Sequence, residues 1–428
     1  MNPDRLITRN LSLSVLGEAV WGIHGALTAG STVLAVLLQD LGATEKMIGS
    51  IESIQKGLLV FPQLFGLYIF TSRKHLKRQL VLWHLVIIIP FIFLSGILIQ
   101  QRHHFSDAFL SWSLLISFAA FFFFTGVVVS VWLDWQVSLF KEQLKGTALG
   151  LIFFASALIG SLSGVVAGWL LEKFPFRSTY AYLYFVAGIF TIISITFFWF
   201  IRDPAEFQPE ARRKRPGKEL LNFFSLSLKE YHFRQLLMGR LLGTLGFSVV
   251  PLIAIHFQSA AGGGLSSGTI VACGSAMLLG TAIAHLILGK LGDHFGHRLG
   301  LMVGMYAQIF TLLLLLCGTG KWVSILTYFS AGVNGSAFFL SHTNLLFESC
   351  RHENRLAHFT LGNVILSIPM LVAPILAGYF AEIWGLTVIF QISLFFSILA
   401  VLWFIWRVRD PRDFQLQNNV CSSVGVPK

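Results

Sequence analysis

Twelve apolar stretches recur along the chain, most about 20 residues long or longer and separated by short polar joints. A membrane-spanning helix needs roughly 20 apolar residues. Within a bilayer the backbone must satisfy its own hydrogen bonds, which a helix does within one segment. The approximate limits are 13–38, 46–71, 79–100, 108–134, 147–171, 180–201, 234–257, 267–290, 299–318, 322–345, 358–380 and 385–406. The expected fold is therefore an all-α membrane protein with twelve transmembrane helices. Composition supports this. Of 428 residues, 55% are hydrophobic and 12% charged, with mean hydropathy +0.73, whereas soluble domains run near ~25% charged. That excludes a soluble enzyme, a disordered chain and a disulfide scaffold. The cysteines (Cys273, Cys317, Cys350, Cys421) show no metal-ligand spacing, so neither a metal nor a cofactor is expected. Met1–Asn10 leads straight into the first stretch, with no cleavable leader pattern.

Charge placement gives the expected topology. With both termini in the cytoplasm, 24 of the 31 Lys and Arg residues fall in inside segments. Five fall outside (Lys46, Arg102, Lys173, Arg177, Lys321), and Lys56 and Arg240 lie within spans. Such an excess follows the positive-inside rule. The longest connection, 202–233, carries Arg212-Arg213-Lys214-Arg215 and divides the spans six and six. Its charge suits anionic lipid head groups, not nucleic acid. Residues 219–234 have the length of a short interfacial helix. The chain is thus read as an N-terminal six-helix bundle (1–201), a basic cytoplasmic linker (202–233), a C-terminal six-helix bundle (234–408) and a cytoplasmic tail (409–428).

The halves resemble each other. Leu139-Phe140 aligns with Leu346-Phe347 at an offset of 207, Gly168 with Gly378 at 210 and Gly66 with Gly289 at 223. Two pseudo-symmetric six-helix bundles are the mark of a transporter whose site lies between repeats.

The segment Gly289-Lys290-Leu291-Gly292-Asp293-His294-Phe295-Gly296-His297-Arg298 resembles the loop motif Gly-x-x-x-Asp-x-x-Gly-x-basic of the major facilitator superfamily. Together with the spans, the linker and the repeat, the resemblance covers nearly the whole chain. It implies a cytoplasmic gate in which Asp293 and Arg298 form latching pairs, while Gly289 and Gly296 allow close helix approach and a tight turn. The matching position between spans two and three carries Phe70 where the acid belongs. The fourth span also lacks the Arg often found in the family. Gly160, Gly164 and Gly168 resemble a fifth-span antiporter motif without its Pro, and are read first as helix packing.

Ionisable residues inside spans point to a site, because burying them in lipid is costly. In the first span Gly17, Trp21, His24, Thr28 and Ser31 share a face, with Glu18 beside it. Glu18 is a candidate proton or cation binder, and His24 a titrating or hydrogen-bonding group. Glu52 and Lys56 stand in the favourable i, i+4 order for an ion pair and are candidates for an outer gate. Asp134, near the cytoplasmic end of span four, is a further gating candidate. Arg240 in span seven shares a face with Thr244, Phe247 and Pro251; it either binds an anionic solute group or pairs with an acid such as Asp134. His342 sits in a polar group with Ser341, Thr343 and Asn344. Most Phe and Trp residues are read as lipid-facing, and the run Phe121–Phe124 names no ligand. The substrate and proton pathway candidates are Glu18, Trp21, His24, Thr28, Arg240 and His342.

These features point to a secondary transporter in a bacterial inner membrane, moving a small organic solute by alternating access with protons as partner. Import and efflux both remain open. No GxxxxGK[ST] loop is present, so ATP-driven pumping by this chain is not expected. Nor is enzyme activity, since no nucleophile–base set is found. The alternative is a non-transporting receptor or complex subunit of the same fold.

Overall fold

The computed structural model describes residues 3–70, 75–140, 142–174, 177–202, 228, 230–348 and 355–410. These residues form helices and connecting turns, with no strand among them. The N-terminal helices are α1 (Pro3–Leu27), α2 (Ala35–Asp40), α3 (Glu45–Val60), α4 (Gln63–Ile69), α5 (Leu76–Trp83), α6 (Ile89–Gln100), α7 (Asp107–Ser138), α8 (Glu142–Lys173) and α9 (Arg177–Trp199). The C-terminal helices are α10 (Tyr231–Leu245), α11 (Leu252–Gln258), α12 (Ser267–Phe295), α13 (His297–Cys317), α14 (Lys321–Glu348), α15 (Arg355–Trp384) and α16 (Leu386–Arg407).

Among the described residues, 10 helical segments are long and apolar enough to cross a membrane. They match every expected span but the second and seventh. Those two positions hold interrupted helices: α3 and α4 part at Phe61-Pro62, and α10 and α11 part over Gly246–Pro251. The basic cluster Arg212–Arg215 and most of the expected interfacial helix (219–227 and 229) lie outside the described residues. Tyr231–Arg234 instead open α10.

Long apolar runs make these helices, and polar caps and glycines end them. Thr44, Ser106 and Ser266 each accept the backbone N–H three residues on with their side-chain oxygens, at 3.4, 3.2 and 3.2 Å. Gly296, at φ +88°, makes the tight turn between α12 and α13.

The helices alternate between two ends of the bundle. One end, here the terminal face, gathers the chain's first helix and its last. There Asn10 Nδ2 donates to Arg202 O at 2.8 Å, Lys77 Nζ to Ile201 O at 2.8 Å and Arg298 Nη2 to Phe404 O at 3.0 Å. The opposite end, the far face, holds Asp40, Asp107, Arg177 and Gln258. Exposed tryptophans ring both ends, with Trp112, Trp169, Trp322 and Trp384 toward the far face and Trp199 and Trp406 toward the terminal face. Amphipathic rings at two levels are what a bilayer's two interfaces select.

The N- and C-terminal helices meet most tightly along two helix pairs, α8 with α12 and α3 with α15. Backbone approaches backbone in both. A Cβ on Gly168 would stand 2.5 Å from Ala272 N, and one on Gly378 would stand 2.5 Å from Glu45 O. Gly168 and Gly378, aligned in the sequence at an offset of 210, thus each sit in one of the two contacts between N- and C-terminal helices. Gly160 and Gly164 extend the first of them toward Leu278 and Ser275, so the glycine stripe packs helices as expected. Hydrogen bonds reinforce the junction. Ser161 Oγ donates to Ser275 O (3.0 Å), Lys46 N to Glu382 Oε1 (2.8 Å) and Gln258 Nε2 to Asp40 Oδ1 (3.1 Å), and Ser266 Oγ donates to Glu172.

Candidate functional site

A large cavity of about 1080 Å³ lies between the N- and C-terminal helices. Its lining runs from Asp134, Leu133, Gln63 and Asn363, near the terminal face, to Ser117, Thr32 and Val250 deeper in. It ends short of the far-face residues Asp40, Glu172 and Gln258. Glu18, Trp21, His24, Thr28, Arg240 and His342 all line it, together with Glu52, Lys56 and Asp134. Nine of the thirteen pathway and gating candidates are therefore brought to one space.

The first and seventh spans reach the cavity through breaks in their helices. At the first break Ala29 turns extended (φ −54°, ψ 121°) and a five-residue π-helical stretch, Gly30–Leu34, follows. The second break spans Gly246–Pro251. The two align at an offset of 216: Thr28-Ala29-Gly30-Ser31-Thr32-Val33 against Thr244-Leu245-Gly246-Phe247-Ser248-Val249. That alignment places His24 opposite Arg240. Sequence reasoning missed this repeat, although the Thr-x-Gly signal was present. Broken spans at matching positions of two repeats line the sites of many transporters, because unwound backbone is tolerated where it faces a cavity. The freed backbone groups here find partners. Gln308 Nε2 donates to Gly243 O (3.1 Å), Ser397 Oγ to Gly246 O (3.2 Å) and Val250 N to Glu52 Oε2 (3.3 Å).

On the N-terminal wall, Glu18 Oε1 accepts from Gln136 Nε2 (2.9 Å) and Trp132 Nε1 (3.3 Å). Around it the rings of Trp21 and His24 lie 5.1 Å apart, Trp21 and His84 5.7 Å, and His84 and Trp132 4.8 Å. His24 is buried, and its Nδ1 has no hydrogen-bond partner. His84, Trp132 and Gln136 were not singled out from the sequence. A Trp-x-x-x-Gln spacing places the last two on one helical face, but nothing local says which helix that face meets. Phe121 and Phe122 also line the cavity, so the phenylalanine run contributes to the site as well as to packing. Gly17, expected on the polar stripe, packs instead on α9, where Ser194 Oγ donates to its carbonyl at 2.7 Å.

On the C-terminal wall, Arg240 is 1% exposed. Its Nε donates to His342 Nδ1 at 3.1 Å, its guanidinium carbon sits 3.8 Å from the centroid of the Phe338 ring, and its Nη1 has no partner. The ion pairs found among the described residues are Lys56–Glu52 and Arg177–Asp107, and Arg240 belongs to neither. Arg240 and Asp134 are both described residues, and no ion pair joins them. Thr244 and Asn363 complete this wall.

The gating candidates are dispersed. Lys56 pairs with Glu52 in α3, and Glu52 reaches across to the seventh-span break at Val250. Gly296 makes its expected turn, and Arg298 ties α13 to the end of α16. Gly289 does not give a close helix approach, since a Cβ there would stand 3.7 Å from Leu340 in ordinary contact. The Asp293 side chain lies outside the described residues. His256 and His285 engage neighbouring rings and, for His285, Ser336 Oγ at 3.0 Å, as expected of structural imidazoles.

The family model described as Major Facilitator Superfamily matches residues 236–420. Among solved structures, a point mutant of the nucleoside transporter NupG is 16% identical with a TM-score of 0.68, covering 94% of this chain and 100% of that one. A POT family transporter in complex with 5-aminolevulinic acid is 12% identical with a TM-score of 0.68, covering 93% and 95%. A D-xylose-proton symporter is 13% identical with a TM-score of 0.63, covering 95% and 98%. No curated protein matches the sequence. The sequence thus matches the Major Facilitator Superfamily model over its C-terminal helices, and it shares the fold of these solved transporters over nearly the whole chain.

Proposed function

We propose that this multi-pass membrane protein is a secondary active transporter that moves a small organic solute by alternating access, with protons as the coupling ion. The observation that carries the reading is the cavity lined by both sets of helices, reached from the terminal face and sealed toward the far face by the α3–α15 and α8–α12 contacts. A channel needs no such seal, and a receptor needs no cavity reaching one membrane side. The solved neighbours include a nucleoside transporter, a peptide transporter and a D-xylose-proton symporter, which supports a small organic cargo here.

In this reading the halves are the bundles 1–201 and 234–408, joined by the linker 202–233 and followed by the tail 409–428. The excess of Lys and Arg in the sequence segments that hold the termini and the linker supports a cytoplasmic terminal face in an inner membrane. The described conformation is then open inward. Glu52, bonded to Val250 and paired with Lys56, is the inner leaf of the outer gate. Glu18 is the proton-carrying carboxylate, because it lines the cavity and accepts from two neutral donors. Glu18 takes up a proton from the cavity when it is open to one side and releases it to the cavity when it is open to the other, while Gln136 and Trp132 act only as hydrogen-bond donors to it.

Reconstitution into proteoliposomes with a pH gradient and a panel of labelled solutes tests the reading. The expected result is flux of at least one solute, accelerated by the gradient, with Glu18→Gln losing the acceleration while retaining downhill exchange. Absence of any solute or proton movement across nucleosides, sugars, amino acids, short peptides and organic acids would overturn it in favour of a non-transporting role.

A further inference from the structure

We propose that the solute carries an oxyanion, a carboxylate or a phosphate monoester, and that it docks with this group on Arg240 and its flat, apolar end among Trp21, His84 and Trp132. The inference deepens the transport reading of the cavity and rests on it. Its chemistry starts from Arg240. A guanidinium held in a span is expensive unless its charge is answered. Here the neighbours supply only part of an answer. Phe338 offers a ring face, and His342 accepts one hydrogen bond through Nδ1, which fixes that imidazole as a neutral acceptor at this atom. Nη1 is buried, lacks a partner, and belongs to a residue that lines the cavity. Thr244 Oγ1, one helical turn on along the same face, is likewise buried with no partner. Two unanswered donor groups a turn apart match the two or three acceptor oxygens of a carboxylate or phosphate.

The opposite wall gives the solute its direction. Glu18 is acidic and would repel an anion, whereas the rings of Trp21, His84 and Trp132 offer faces to a planar apolar body. The cavity is therefore polarised, with a cation and hydroxyl on the C-terminal wall and a carboxylate among aromatics on the N-terminal wall. A solute bridging both walls binds tightly only where the walls are close. That links the oxyanion to the rocking of the halves.

The test uses the full-length protein purified into nanodiscs and titrated with four naphthyl probes: naphthylacetate, naphthyl phosphate, naphthylacetamide and naphthylethylamine. One or both anions are expected to bind at least ~10-fold more tightly than the amide and the amine. Whichever anion is tighter names the oxyanion. Arg240→Gln should remove that preference, with a loss of ~10- to 100-fold in anion affinity, and Arg240→Lys should keep part of it. Thr244→Ala should weaken the anions but not the amide, and serves as the second variant should either Arg240 variant fail to give a single gel-filtration peak. Equal or tighter binding of the amide or the amine, an anion preference that survives in folded Arg240→Gln, or no binding of either anion would each overturn the proposal. The two readings fail differently. Vesicles that transport a neutral or cationic solute without competition from the naphthyl anions sink the oxyanion site alone. Anion binding without flux of any solute sinks the transport reading alone.

Discussion

Adding one carbon to Gly49 or Gly378 should move the whole protein toward its other conformation. Both glycines lie in the contact between α3 and α15 near the far face. A Cβ on Gly49 would stand 2.6 Å from Pro374 O and 3.0 Å from Gly378 Cα; one on Gly378 would stand 2.5 Å from Glu45 O and 2.9 Å from Lys46 Cα. Ordinary contact begins near ~3.5 Å, so the helices must part by roughly 1 Å. The obstructing atoms are backbone and cannot swing aside as a side chain would. Forcing a methyl group into packed surroundings costs about 1–3 kcal/mol. If the far-face-open state separates these helices, that cost falls only on the closed state and shifts the equilibrium by roughly 5- to 150-fold. The readout is a cysteine at Ser117, buried beside the cavity, in a background lacking the native cysteines. A membrane-impermeant maleimide applied from the far face should label it faster in Gly49→Ala and Gly378→Ala by a factor in that range. Gly150→Ala, where an added Cβ meets nothing within 4 Å, should leave the rate unchanged. Unaltered labelling in folded Gly49→Ala and Gly378→Ala would refute the claim that this contact is the far-face seal.

Other expectations follow from the same geometry. Burial, with the Glu382 carboxylate as a second cause, holds the Glu45 carboxyl above the usual range, and its Oε2 is buried without a partner. Its neutral form therefore suits the closed contact, so that contribution is full below the ordinary carboxylate pKa of ~4.3 and is lost as pH rises through the raised value. Far-face labelling of the Ser117 cysteine should rise over that window by more than the same cysteine rises in Glu45→Gln, whose pH dependence reports the thiolate fraction alone, with Lys46 and Glu382 left in place. Arg240→Met replaces a buried cation lacking a carboxylate by an apolar chain, and should raise the melting temperature in detergent by several degrees, equivalent to about 1–4 kcal/mol; a lower melting temperature would mean that the cation is already compensated. Gln308 donates to Gly243 O and Ser397 Oγ and accepts from Asn334 Nδ2 (3.1 Å). Gln308→Ala strands those groups and should destabilise the protein by about 1–3 kcal/mol, read as a lower unfolding temperature; no change would show that water replaces the side chain.

The sequence by itself determined the helices, their number to within two interrupted spans, and the Gly160, Gly164 and Gly168 stripe along which two of them pack, but not the ordinary contact at Gly289 or the close one at Gly49. Those properties are local: an apolar run of span length has few alternatives in lipid, and a missing Cβ is visible in the residue name. It also named Glu18, Trp21, His24, Thr28, Arg240 and His342, because a polar side chain inside a span is conspicuous. The partners of these residues were settled only by the tertiary structure. Gln136 and Trp132 reach Glu18 across 118 and 114 residues, and His342 reaches Arg240 across 102. No periodicity on one helix reports which face its neighbours present. The same limit explains Gly17, which shares the polar stripe by spacing yet packs on α9, and His84, a lone imidazole that becomes part of an aromatic wall once three helices converge. The sequence also left Arg240 two kinds of partner, an anionic solute group or an acid such as Asp134. The packed bundle gives Arg240 the neighbours His342 and Phe338 and no ion pair with Asp134, since a hydrogen bond requires contact and contact is a property of the packed bundle.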